Sequence, residues 1–201
     1  LTKHIIVMSS KLLLIAVLMF SCKDEPQIWK VDSEQLVITQ YVESVEDFSE
    51  FSKILDATGL NSLLSVRGPF TLFLPGNKQM QEYYALKGKN SYTDFTTEEL
   101  TALVKNHIIG AYIETGSIGL GAISEENALG DFIVSEFEGS DIILNKNSKI
   151  IKRDIITSNG VVHHIGKVLD PTTKSVFQVL ESNPSYSIFT EGLRRTGLKD
   201  T

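Results

Sequence analysis

A single cysteine, at position 22, is all that 201 residues contain, so neither an internal disulfide framework nor a multi-cysteine zinc or iron–sulfur site is open to this chain. Basic excess is missing too: 19 Lys and Arg stand against 25 Asp and Glu, a net charge of −6. A nucleic-acid binder needs a basic face to displace counterions from phosphates, and this balance argues against that class. No Gly-x-Ser-x-Gly elbow, glycine-rich phosphate loop or His-Glu-x-x-His helix occurs, so the common hydrolase, nucleotide and zinc-protease chemistries lack their parts. What is there is ordinary globular composition, 42% hydrophobic and 22% charged. The length suits one domain with something attached rather than two complete domains.

Leu12 to Phe20 are uninterruptedly apolar. That run is too short for a bilayer core, which needs about 20 helical residues. Preceded by Lys11 and followed by Ser21 and Cys22, it reads as a secretory signal peptide over residues 1–21. The break falls at cysteine, and Met19-Phe20-Ser21-Cys22 resembles a bacterial lipoprotein signal. The resemblance implies lipid on Cys22, which would become the new N-terminus and tie the chain to a membrane, since several acyl chains anchor stably. A cleaved secretory signal with an incidental cysteine, or a buried strand, are the plainer readings. Lys23-Asp24-Glu25 resembles the export signal that places lipoproteins on the outer face of the outer membrane; its plainer reading is a solvated tether. A start at Met8 gives a compact signal, so residues 1–7 are expected to lie outside the natural precursor. Residues 22–40 show no sustained periodicity and read as a lipid-anchored tether.

The fold proper is expected from Tyr41. Phe48, Phe51, Ile54 and Leu55 share one helical face, and Gly59 followed by Leu60 fits a C-terminal cap. Phe70 to Leu74 reads as a buried strand halted by Pro75. Asn77 is placed to cap a short helix carrying Met80, Tyr83 and Tyr84. Thr96 and Glu99 form a capping box ahead of Leu100, Leu103, Val104 and His107, one stripe of the next helix. Short β-rich runs follow at 108–113, 132–137, 142–144, 150–156 and 161–169, with breaks at 116–121, 138–141, 146–147 and 159–160. Asn159-Gly160 predicts a type I′ hairpin with positive φ at both residues. Helices first and strands afterwards make the class α+β.

Phe51 to Leu60 recurs as Phe189 to Leu198: Phe, Leu, Thr, Gly and Leu repeat in register, and Tyr186 answers Phe48 at the same offset. A constant offset of domain size predicts tandem units. On that reading residues 172–201 start a second unit cut short by the end of the chain, or form a tail that packs on the first domain.

In this order, residues 41–171 resemble the fasciclin-like domain. The resemblance rests on Gly68-Pro69-Phe70-Thr71-Leu72-Phe73-Leu74-Pro75 with Asn77, on Leu103-Val104-Lys105-Asn106-His107, and on Ser158-Asn159-Gly160-Val161-Val162-His163-His164-Ile165 leading to Pro171. It implies a wedge of short β-strands flanked by helices, serving adhesion or binding rather than catalysis, with no cofactor. Its motif residues here are Thr71, Phe73, Pro75, Asn77, His107, Asn159, Gly160 and His163, in structural roles. Gly76, Gln79 and Met80 depart from the first motif, Gly166 from the last. Asn106 replaces the tyrosine that usually precedes the mid-domain histidine, so receptor contacts of that pair are not carried over.

His107, His163 and His164 invite a metal or acid–base site, with an acid such as Asp154, because imidazole ligates transition metals and titrates near neutrality. Neighbours in a strand point to opposite faces, which separates His163 from His164. The plainer role for His107 and His163 is to hydrogen-bond buried backbone. Glu98-Glu99 and Glu125-Glu126 read as a helix first turn and a solvated loop. Tyr83, Tyr84 and Tyr92 around the Lys87–Asn90 loop offer flat surfaces for a sugar or peptide, or else line the core beneath it. The resulting expectation is a non-catalytic adhesion module of a surface-exposed outer-membrane lipoprotein, binding an envelope or matrix protein or a glycan. The alternative is an accessory that holds polysaccharide or peptide for an outer-membrane uptake system.

Overall fold

The computed structural model describes residues 35–172 and 176–198; the apolar run, Cys22 and the first part of the expected tether lie outside the described residues. Helix α1 (Ile38–Ser44) opens the fold ahead of Tyr41, with Ile38 and Val42 buried. The last residues of the expected tether therefore belong to the core. A 3-10 turn, Glu46–Phe48, leads into α2 (Ser49–Thr58), whose Phe51, Ile54 and Leu55 are buried as the 3.6-residue spacing requires. Gly59 ends it at φ 70, its N–H directed at the carbonyls of Asp56 and Leu55. After α3 (Asn61–Ser65), strand β1 (Phe70–Pro75) and α4 (Asn77–Leu86) comes α5 (Thr97–Asn106). The capping box of α5 is formed: Thr96 N–H reaches Glu99 Oε2 at 2.8 Å and Glu99 N–H reaches Thr96 Oγ1 at 3.2 Å.

Strands β2 (Ile108–Ile109), β3 (Gly121–Glu126), β4 (Phe132–Glu138), β5 (Asp141–Leu144), β6 (Ser148–Thr157) and β7 (Gly160–Ile165) join β1 in one sheet of order β2-β1-β7-β6-β5-β4-β3. Of these pairings only β1 with β7 is parallel. The two ends of the sheet meet, because Ile109 bridges Asn127 and the Ala128 N–H reaches the Ile108 carbonyl at 2.7 Å. Alternation along the strands then sorts two cores. Phe73, Ile109, Ile133, Ile142, Leu144, Ile150 and Ile165 pack inside the curled sheet. Leu72, Leu74 and Val162 face the other way and meet Phe51, Ile54, Leu55, Leu103 and Val104 from the helices. The class is α+β, short strands with flanking helices.

Three local expectations are corrected. The strand expected over 108–113 stops at Ile109, because the Thr71 hydroxyl takes over its pairing: it donates to Ala111 O at 2.6 Å and accepts the Ile113 N–H at 2.9 Å. Glu125 and Glu126 lie on the edge strand β3, whose one buried residue, Ile123, left no apolar run to read. Asn159-Gly160 is not a type I′ turn. Thr157 pairs with Gly160 around Ser158 and Asn159, and neither Asn159 nor Gly160 has positive φ. The left-handed pair is Asn145 and Lys146, φ 47 and 64, between β5 and β6.

Candidate functional site

The motif residues converge where β1 and β7 run side by side. Gly160 is required there by proximity: a Cβ on it would lie 2.1 Å from the Phe70 carbonyl oxygen. Asn159 beside it is buried and spends its whole amide. Its Oδ1 accepts the Ile38 N–H at 2.9 Å, and its Nδ2 donates to Leu64 O at 2.7 Å and Val66 O at 2.9 Å. Asn77 works in the same way on the next helix. It does not cap α4, as its position before Met80 implied; Gly76 stands at that N-cap. Instead its Oδ1 accepts the Glu50 N–H in the first turn of α2 at 2.9 Å, and its Nδ2 reaches Glu46 O and Ser49 Oγ. Both asparagines cap helices remote from them in sequence.

Register pairs Phe73 with His163, and their rings lie 5.5 Å apart inside the curled sheet. His163 is fully buried and both nitrogens are engaged: Nδ1 accepts the Asp154 N–H at 3.1 Å, which makes Nε2 the donor to Ile113 O at 2.8 Å. Asp154 sits at φ 54 and grips the turn opposite, taking the Thr115 N–H at 2.7 Å and the Thr115 hydroxyl at 2.5 Å. Burial pushes the His163 pKa below its ordinary value, against the opposing pull of Ile113 O and Asp154. Thr71, His163 and Asp154 thereby fix residues 111–115 over the mouth of the strand-lined core.

His107 lies in the other layer, at the end of α5 and edge-on to Phe51. Its Nε2 accepts the Leu169 N–H at 3.0 Å, so Nδ1 donates to Leu103 O at 2.7 Å. Burial lowers its pKa to about 4. Asn106 turns its amide to Leu169 O at 2.8 Å and receives Asn127 Nδ2 at 2.8 Å. This buried pair of amides links α5 to the β3–β4 connection and carried no signal in the sequence. His164 points away from His163, stacked with Tyr41, whose hydroxyl meets Nε2 at 2.8 Å. Burial, and then Lys152, lower its pKa to about 4.

Among the described residues no group of three His, Cys, Asp or Glu is placed to hold a metal ion. His107 and His163 take the plainer of the two roles read for them, bonding buried backbone at Leu103, Leu169, Ile113 and Asp154. Tyr83 and Tyr84, read either as flat surfaces for a ligand or as core beneath the Lys87–Asn90 loop, are buried. Tyr83 stacks on Phe95 and donates to Asp170, Tyr84 donates to Glu50, and burial raises the pKa of both. Tyr92 is half-buried in the turn Tyr92–Asp94.

The fasciclin domain profile matches residues 46–171. Human periostin is 31% identical over 162 residues, which cover 80% of this chain and 19% of periostin. The pig transforming growth factor-beta-induced protein ig-h3 is 27% identical over 161 residues, 80% of this chain and 23% of that protein. The chain thus spans about a fifth of the length of these relatives. A solved pair of such domains from the insect cell adhesion molecule fasciclin I aligns at TM-score 0.42 and 19% identity, covering 81% of this chain and 54% of the other. Fasciclin domains are non-enzymatic adhesion and binding modules. With its profile match running from the 3-10 turn before α2 to Pro171, and its motif residues spent on bracing two cores, this chain belongs to the fasciclin domain family.

Proposed function

We propose that this chain is an envelope lipoprotein held by acylated Cys22, whose fasciclin domain binds a protein or glycan partner at the cell surface and which continues into a second fasciclin unit. The observation that carries the adhesion reading is how the polar interior is used. Each nitrogen of His107 and His163 and each amide of Asn77 and Asn159 is bonded to the domain's own backbone or side chains, so recognition falls to the outer surface.

The second unit is supported by a repeated local structure. The 3-10 turn Glu46–Phe48 and helix α2 are answered by Pro184–Tyr186 and a helix α7 (Ser187–Thr196), preceded by α6 (Val176–Glu181) in the place of α1. Gly197 caps α7 at φ 75, and the Thr196 hydroxyl reaches Gly192 O and Leu193 O just as Thr58 reaches Ile54 O and Leu55 O. What differs is burial: Phe51 is 0% exposed and its counterpart Phe189 is 58% exposed, Ile38 0% and Val176 78%. α6 and α7 carry the face of a core without the sheet that covers it.

Two experiments test this. Palmitate labelling is expected to follow the wild-type chain and to vanish in Cys22→Ala; equal labelling of both overturns the anchor. Affinity capture from envelope extracts with the tethered protein is expected to retain a discrete protein or glycan, and capture of nothing above a denatured control overturns the binding role.

A further inference from the structure

The outward side of β6 gathers cations in an acidic protein. Lys146, Lys149, Lys152 and Arg153 fall between positions 146 and 153. Lys167 joins them, because the Gly166 N–H bonds Lys149 O at 2.7 Å and the Lys167 backbone bonds Ser148 Oγ on both sides. In a regular strand Lys149 and Lys152, three positions apart, would point to opposite faces. Two register shifts prevent this. Ile150 pairs with Ile165, Lys152 with His164 and Ile155 with Val162, so one extra residue is inserted on each side of Lys152. Lys149, Lys152 and Ile155 therefore share the face of His164 and Val162, outside the strand-lined core. The second insertion contains Asp154, whose left-handed backbone and bonds to Thr115 turn its carboxylate away from the row.

The groups facing this row leave it positive. Asp141 pairs with Lys149 at 2.6 Å, and Arg153 donates to Ser140 O. Glu136 stands in line with Lys149 two strands away, across Ile143. Asp47 lies near enough to His164 to act on it, and the ring itself is uncharged at neutral pH. Lys146, Lys152 and Lys167 have no ion-pair partner among the described residues, and Ile151 between them is exposed.

We propose that this bulge-aligned row on β6 binds a linear carboxylated polysaccharide. Lys149 and Lys152, three residues apart on the extended strand, stand about 10 Å apart, with Lys146 in the turn before the strand and Lys167 beside Ser148, a linear spread that matches a chain-like polyanion better than a planar charged surface. The acid-rich remainder of the molecule repels the same chain and so confines it to this row. The proposal rests on the reading of the domain as a binding module and names its partner class.

The test titrates the full chain with polygalacturonate at low salt, with neutral dextran as control. Binding is expected to polygalacturonate alone and to weaken as sodium chloride is added. Lys149→Gln/Lys152→Gln is expected to weaken it by at least about tenfold, whereas Lys78→Gln/Arg195→Gln, which removes the same charge from exposed sites elsewhere, stays within about twofold. Absence of binding, or equal loss in both variants, overturns the proposal. So does tighter binding to phosphatidylglycerol vesicles with the same lysine dependence, which reassigns the row to a membrane. Envelope capture by the unsubstituted chain, with no polygalacturonate binding by that same chain, refutes this site and leaves the adhesion role standing.

Discussion

Asn159 Oδ1 accepts the backbone N–H of Ile38 at 2.9 Å, across 121 residues of sequence. The first helix of the fold is thus capped by the turn that joins its last two strands. Through Nδ2 the same side chain also holds Leu64 O and Val66 O, at the end of α3. One buried amide therefore fixes where the N-terminal helices sit on the β1–β7 pair, and it explains why the fold reaches back to residue 38. Without that remote acceptor the first turn of α1 would bury an unpaired donor.

Asn159→Ala removes one cap and takes the side-chain donor from the buried Leu64 carbonyl and from the part-buried Val66 carbonyl. Its expected cost is on the order of 3 kcal/mol, read as a lower urea midpoint with an unchanged slope. Asn159→Asp keeps the acceptor for Ile38 but loses both donors, and should be destabilised as well. A loss under about 0.5 kcal/mol in the alanine variant would mean that the amide does not carry the junction.

Gly160→Ala is expected to be severe, several kcal/mol, because the added methyl meets the Phe70 carbonyl of the paired strand and neither backbone can yield without breaking the ladder. Gly116→Ala, in the turn Thr115–Ser117 with open space around the site, serves as the comparison and should stay within about 0.5 kcal/mol. If the two variants unfold at the same urea concentration, the close approach of β1 and β7 is not what demands glycine.

Acid should weaken the fold through its buried imidazoles. His107 has an ordinary pKa of 6.5 in the unfolded chain and about 4 in the folded one, so the unfolded state takes up the proton first. Stability is full above pH 6.5 and falls by up to about 1.4 kcal/mol per pH unit below it, about 3 kcal/mol in all by pH 4. Burial of His163 acts in the same direction. His107→Gln should be less stable at pH 7 yet show a shallower decline between pH 6.5 and 5 in urea titrations. An identical slope would remove His107 as the cause.

What could be read in advance was whatever local periodicity and short-range chemistry determine. The α2 face, the Thr96–Glu99 box and the Phe70–Pro75 strand declare themselves within a few residues, because each is stabilised by neighbours three or four positions away or by an unbroken apolar run. The roles of Asn77 and Asn159 were not legible, since their partners lie 27 and 121 positions off and a capping residue looks the same whichever helix it serves. Edge strand β3 buries one residue and left no pattern. The two insertions in β6 were equally invisible: alternation misplaces Lys149 and Lys152 until the register with β7 is known.

Residues 173–201 provide the sharpest test of the repeat. α6 and α7 hold each other through the Arg194–Glu181 ion pair, with Arg194 5.8 Å over the Phe177 ring. Their large apolar side chains Val176, Ile188 and Phe189 are exposed instead of sealing the first domain. If these helices open a second unit, deleting residues 173–201 removes nothing that the first domain leans on. Its urea midpoint should then shift by less than the equivalent of about 0.5 kcal/mol, and binding of a dye that reports exposed apolar surface should fall. A tail that packs on the first domain predicts the opposite on both counts, a loss of more than about 1 kcal/mol and newly exposed apolar surface, because the face it covered would be opened to water.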